Sequence, residues 1–120
     1  MAKPYYLIPV FSGTASADDT FVVPNLSVFS SVILSIAASG VPGSNSGGTV
    51  VCSLEGKDLF SDNYTQLGAA IFIEGPLAGG ETSGQREATI SLGVYSTTRV
   101  SISGNVGTDL LVDIQIAAFV

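Results

Sequence analysis

Side-chain parity is cleanest between Glu87 and Val120. Ala88, Ile90, Leu92 and Val94 share one parity, and Thr89, Ser91, Gly93 and Tyr95 share the other. Val100 and Ile102 then alternate with Arg99, Ser101 and Ser103. Leu110, Val112, Ile114, Ile116, Ala118 and Val120 oppose Leu111, Asp113, Gln115, Ala117 and Phe119. A period of two puts one face of a sheet on an apolar core and the other on water or a partner. The same reading, with turn signals between the runs, predicts about eight strands: Tyr5–Val10, Thr20–Val23, Val32–Ala38, Thr49–Glu55, Gln66–Ile73, Arg86–Tyr95, Arg99–Ser103 and Leu110–Phe119. That spacing belongs to an all-β antiparallel sandwich. No window carries a sustained helical period, although Lys57–Gln66 has room for one helical turn; Asp62-Asn63 reads there as a turn.

The breaks are made of turn chemistry. Gly40–Gly48 and Gly75–Gly84 are long loops rich in Gly and Ser, and Gly104–Gly107 is short enough to close a hairpin between the last two strands. The N-terminal segment stands apart. Lys3-Pro4-Tyr5-Tyr6-Leu7-Ile8-Pro9-Val10-Phe11 is aromatic and carries two prolines, which cannot donate to a ladder. It is therefore an edge strand of its own sandwich or an extended arm laid on a neighbouring subunit. On either placement, residues 1–19 form this segment and its loop, and residues 20–120 the body of a single domain.

Composition narrows the function. Hydrophobic residues make up 46% of the 120 and charged residues only 12%, about half the usual share for soluble domains. A surface so poor in charge suits burial in an assembly. The net charge of −6, with Lys3, Lys57, Arg86 and Arg99 scattered, argues against nucleic acid and against an anionic membrane surface. No signal-peptide core and no run long enough to span a bilayer is present, so a soluble protein is expected.

Catalytic chemistry is missing. The chain has no histidine, which removes His-based triads and most transition-metal sites. No glycine run follows the phosphate-cradling pattern, and the spacing of Glu55, Asp58, Glu74 and Glu87 favours no carboxylate pair. The acids Asp18-Asp19, and Asp58 with Asp62 and Asn63, read as solvated turn residues; no calcium-loop pattern is present, so neither a metal nor a cofactor is expected. Cys52 shares the parity of Val50 and Leu54 and reads as a small buried hydrophobe. A carbohydrate-binding module remains as an alternative. With no Trp and four Tyr, it requires Tyr64 or Tyr95 to be exposed.

The middle of the chain carries a recognisable pattern. Val50-Val51-Cys52-Ser53-Leu54-Glu55-Gly56-Lys57-Asp58 is followed by Ser61-Asp62-Asn63-Tyr64-Thr65-Gln66-Leu67 and the small-residue run Ala69-Ala70-Ile71. This resembles short proteins encoded among the structural genes of tailed bacteriophages. In those, a strand ends in a Leu/Ile-Glu-Gly-x-Asp turn and Ser-x-x-Tyr-x-x-Leu follows. An apolar strand before the motif and an alternating hairpin at the end extend the similarity over roughly residues 28 to 120. The resemblance implies a jelly-roll-like sandwich that acts without catalysis as a capsid decoration or cement protein. Its partner would be the major capsid protein, and it would be a homotrimer or other homo-oligomer on the virion surface, made in the host cytoplasm. A tail, baseplate or fibre-associated domain is the neighbouring alternative. The Tyr/Pro-rich start and the Gly40–Gly48 loop depart from the pattern. Tyr5, Tyr6, Leu7 and Phe11 are the contact residues expected, as aromatic anchors dominate interfaces. Removing residues 2–11 is expected to leave a folded sandwich that no longer loads onto heads.

Overall fold

A computed structural model describes residues 5–14, 18–23, 26–40, 48–60, 62–77, 86–91, 95, 97–104 and 110–119. Eight strands run in chain order: β1 (Tyr5–Thr14), β2 (Asp19–Val23), β3 (Ser31–Ser39), β4 (Thr49–Lys57), β5 (Tyr64–Glu74), β6 (Arg86–Ser91), β7 (Thr97–Gly104) and β8 (Leu111–Phe119). They form two four-stranded sheets, ordered β1-β8-β3-β6 and β2-β7-β4-β5, with every adjacent pair antiparallel. Successive strands change sheet at each connection except β4 to β5, which is the wiring of a jelly roll.

The alternation has the expected cause. Val32, Leu34 and Ile36 of β3 and Ile114, Ile116 and Ala118 of β8 are fully or almost fully buried from one side. Val50, Cys52 and Leu54 of β4 and Val100 and Ile102 of β7 meet them from the other. The opposite parity of each strand faces outward. Ile71 and Ile73 of β5 and Ile90 of β6 extend the core toward one edge. Leu26 closes an end of it from a 3-10 turn, Leu26–Val28, which the hydrophobic pattern does not announce.

The closing hairpin expected at Arg99–Val120 does not form. β7 pairs with β2 and β4, whereas β8 pairs with β1 and β3. Their apolar faces meet across the core, so the two strands belong to opposite sheets. The loops expected at Gly40–Gly48, Gly75–Gly84 and Gly104–Gly107 lie largely outside the described residues, as does the end of the strand expected to reach Tyr95.

Glu55-Gly56 is not a turn either. Both residues continue β4, pairing with Gln66 and Thr65 on one side and Arg99 and Thr98 on the other, and the chain reverses at Leu59-Phe60. Gly56 serves a packing need. A Cβ there would sit 2.7 Å from Cδ1 of the Tyr95 ring and 2.9 Å from Cδ1 of Leu67. The glycine thus lets an aromatic ring lie directly on the backbone of a central strand. Opposite Ser53, β5 carries an irregularity: Gly68, Ala69 and Ala70 stand between the pairs Leu54↔Leu67 and Cys52↔Ile71. Gly68 takes φ +70°, and a Cβ on it would meet Ile90 at 2.7 Å, so the bulge is held by both conformation and contact.

Candidate binding surfaces

Of the two placements open to the N-terminal segment, the chain takes the edge strand. Tyr5 to Thr14 pair with Phe119 to Leu111 of β8, with a bulge between Pro9 and Phe11 where the proline offers no N–H. That bulge shifts parity. Tyr6 shares the register of core-facing Ala118, and its ring meets Phe29 at 5.6 Å between centroids. Phe11 shares the register of Ile114 and packs against the core, tilted on Phe21 at 5.5 Å. Leu7, opposite Ala117, faces outward and is 58% exposed. Tyr5 is placed only through its backbone, opposite Phe119. Tyr6 and Leu7 are thus both exposed, at 61% and 58%, on opposite sides of β1, and Phe11 is half-buried against the core.

The outer face around Leu7 is the first candidate surface. Cross-strand rows run Leu7–Ala117–Ile33–Thr89 and, one step along, Pro9–Gln115–Ser35–Glu87. Ser12–Asp113–Ala37 follows, then Thr14–Leu111–Ser39. Among the described residues, the register places two formal charges on this face, Asp113 and Glu87, and the Gln115 amide donates to Asp113 at 3.3 Å. The rest is hydroxyl, amide and small apolar surface.

The outer face of the second sheet is more polar. The row Val22–Arg99–Glu55–Gln66 crosses all four strands. Arg99 Nε donates to Glu55 Oε1 at 2.8 Å, and its guanidinium lies 3.7 Å from the centroid of the Tyr64 ring. One step along, Thr20, Ser101 and Ser53 make a row of hydroxyls; beyond them Phe72, opposite Val51, is 53% exposed. Neither tyrosine named for a sugar platform is free. Tyr64 is half-buried with Arg99 on one face, and Tyr95 packs against the core over Gly56.

Two hollows flank β2. One, about 350 Å³, is bounded by Asp18, Asp19, Thr20, Ser101 and Ser103, with Ser103 Oγ donating to Asp18 Oδ1 at 3.2 Å. The other, about 330 Å³, lies between the edge strands β1 and β2, lined by apolar side chains, Thr20 and the polar backbone of both strands. Among the described residues, no three His, Cys, Asp or Glu side chains gather closely enough to hold a metal ion. Lys57 Nζ stands 3.7 Å from Asp62 Oδ1 across the β4–β5 turn. Cys52 lies in the core, where burial pushes its thiol up to about 12 from 9.0.

No family model and no curated protein matches this chain. Solved structures do resemble it in fold. The CBM22-1 xylan-binding domain from Paenibacillus barcinonensis Xyn10C is similar over 98% of this chain and 96% of its own, with a TM-score of 0.55 and 15% identity. The Eiger TNF from S. frugiperda aligns over 98% of this chain and 94% of its own, with a TM-score of 0.44 and 8% identity. The first of these likenesses concerns architecture: this chain is an all-β, two-sheet sandwich of the jelly-roll kind.

Proposed function

We propose that this chain is a non-catalytic structural protein of a tailed-phage virion, a decoration protein that cements the capsid surface. One observation carries the reading: the outer face of the β1-β8-β3-β6 sheet offers four strands of mostly hydroxyl, amide and apolar residues, with Asp113 and Glu87 the two charges that the strand register places on it. Such a face loses little by desolvation and gains from apolar burial, the combination found at the centre of interfaces. The motif from Val50 to Ile71, similar to tailed-phage structural proteins, supports the same reading. On a lattice, several modest contacts acting together raise effective affinity by roughly 10²–10⁴.

The test is to purify particles made with and without this chain and reload the bare heads with pure protein. The expected result is a copy number near one, or a simple fraction, per major capsid subunit. Leu7→Asp places a charge on the β1 edge of the proposed contact and should fold normally but fail to load. A handful of copies per particle would move the protein to the tail or a vertex, and absence from particles would overturn the reading.

A second reading is a carbohydrate-binding module, favoured by the Arg99–Glu55–Gln66 row beside the hydroxyls of Thr20, Ser101 and Ser53. A guanidinium held at 2.8 Å by a carboxylate is a fixed donor set for sugar hydroxyls, and the similar fold of a xylan-binding domain makes xylan the first probe. Calorimetric titration with xylo-oligosaccharides and a glycan array decide it. Binding abolished by Glu55→Gln supports this reading; no binding to any glycan overturns it.

A further inference from the structure

We infer that the open edge of β2 binds an extended segment of another protein, which adds a fifth strand to the β2-β7-β4-β5 sheet. The segment that fits runs antiparallel to β2, carries apolar residues at alternate positions and ends, on its C-terminal side, in lysine or arginine. This goes beyond the capsid reading and does not depend on it. The two sheets have four edge strands, β1, β6, β2 and β5. Three of them are closed to a further strand. β5 is bulged at Gly68, and β6 packs beside it with Ile90 against that glycine. β6 also opens with the charged pair Arg86-Glu87. β1 carries Pro9, which offers no N–H, and a bulge after it. Such features block strand addition. β2 has none of them: from Thr20 to Val23 it holds no charge and no proline, and Val22 is 65% exposed.

The backbone of β2 shows which groups are on offer. In an antiparallel ladder, each residue directs its N–H and C=O to one side, and successive residues alternate. The Thr20 N–H donates to the carboxylate of its own neighbour, Asp19 Oδ1, at 2.8 Å. That bond turns Thr20, and with it Val22, away from β7 and toward the open edge. At the far end, the Val23 carbonyl accepts from Thr98 Oγ1 of β7 at 2.8 Å, on the side that the alternation requires. The Asp19 carboxylate thus stands where the carbonyl of a neighbouring strand would stand. An arriving strand takes over the Thr20 N–H and leaves the carboxylate to a cation.

Side chains supply the rest. β1 and β2 stand apart around the hollow of about 330 Å³, whose lining joins apolar side chains to the polar backbone of both strands. On its inner side, an added strand would cover Ile8, Val10 and Phe21, which are only half-buried. An apolar wall beside an edge of N–H and C=O groups suits an extended peptide, which satisfies both at once. Charge sets the direction. Asp18 and Asp19 lie at the N-terminal end of β2, and no base lines the hollow of about 350 Å³ beside them. Every pairing in both sheets is antiparallel, and an antiparallel ligand brings its C-terminal end beside those acids. A lysine or arginine there meets opposite charge, whereas an acidic end is repelled.

The experiment titrates full-length protein, without capsids, into the fluorescein-labelled peptide Thr-Val-Thr-Val-Thr-Lys-Lys, amidated at its C-terminus. Anisotropy should show saturable binding, and the same peptide ending in Glu-Glu should bind more weakly. Val22→Pro removes an N–H that faces the open edge and none that faces β7. It should keep the wild-type melting temperature and weaken binding about tenfold. Asp19→Lys should reverse the preference, so that the Glu-Glu peptide binds better by roughly two- to fivefold. If Val22→Pro melts early, Asp19→Lys decides by itself. Absence of saturable binding overturns the inference, as do equal binding of the two peptides and a folded Val22→Pro that binds like wild type. A protein that dimerises alone, and that Val22→Pro makes monomeric, would give the edge to a second copy and likewise overturn it. Head loading is not measured here, so failure of the capsid reading and failure of this one are told apart.

Discussion

Gly56→Ala tests the packing logic most directly, because it adds one methyl to a strand whose backbone otherwise suits it. The gain is entropic: replacing glycine in a strand interior stabilises by about 0.4–1 kcal/mol through the unfolded chain. The cost is steric. The new Cβ would lie 2.7 and 2.8 Å from two atoms of the Tyr95 ring and 2.9 Å from Leu67 Cδ1, all closer than carbon atoms tolerate. Overpacking of this kind costs about 1–3 kcal/mol, so the net loss should be about 1–2 kcal/mol. At about 3–5 °C per kcal/mol for a domain of this size, the midpoint should fall by several degrees. Urea denaturation followed by circular dichroism measures it, with an unchanged m-value certifying that only stability moved. The ring makes the test specific. In a Tyr95→Ala background the clash with the aromatic disappears and only Leu67 remains, so the alanine should cost about 1 kcal/mol less than in wild type. A neutral or stabilising Gly56→Ala, or the same penalty in both backgrounds, would refute the account.

Other outcomes follow from the same contacts. The Cys52 thiol, raised by burial from 9.0 to about 12, stays protonated in the fold while the unfolded thiol ionises near 9; its contribution is full below pH 9 and lost as pH rises toward 12. Wild type should lose stability relative to Cys52→Ala by about 1.4 kcal/mol per pH unit above 9, and parallel pH curves would disprove this. Glu55→Gln weakens a partly exposed ion pair and should cost about 1 kcal/mol or less, whereas Arg99→Ala also removes the stacking on Tyr64 and should cost about 0.5–1 kcal/mol more. Equal losses in chemical denaturation would mean the stacking contributes nothing. Deleting residues 2–11 should abolish cooperative unfolding. It removes Ile8, Val10 and Phe11 from the core and strips β8 of a ladder partner, contrary to the expectation of a folded remnant. A sharp calorimetric transition in the truncated chain would restore the arm as a dispensable element.

What the sequence reveals is facing, and what it hides is partnership. Alternation along Val32–Ala38, Thr49–Glu55 and Leu110–Phe119 marks the inward residues correctly, because burial on one side of a pleated strand leaves a local signature. It carries no information on which strand lies alongside, so β7 and β8 look like a hairpin although they sit in opposite sheets. The Leu54-Glu55-Gly56 run looks like a turn because glycine usually marks one; here its lack of a side chain makes room for Tyr95, thirty-nine positions away. The facing of the N-terminal residues is hidden for a related reason. A bulge at Pro9 reverses parity within β1, and Phe11 turns inward onto Phe21. The Arg99–Glu55–Tyr64 cluster is invisible until β4, β5 and β7 are side by side, since its members come from three separated segments.

The order β1-β8-β3-β6 has a bearing on biosynthesis. β8 is the last of the eight strands to leave the ribosome, and both β1 and β3 wait for it to fill the gap between them. Until then, the nascent chain holds β1 without its ladder and half a core without its opposing wall of Val112, Ile114, Ile116 and Ala118. The sheet is consequently completed only after β8 has emerged, and it rests on the pairing of the first and last of the eight strands, a contact of high sequence separation. A stop before Leu111 would release β1 unpaired and β3 without one of its two partners rather than a shortened sandwich.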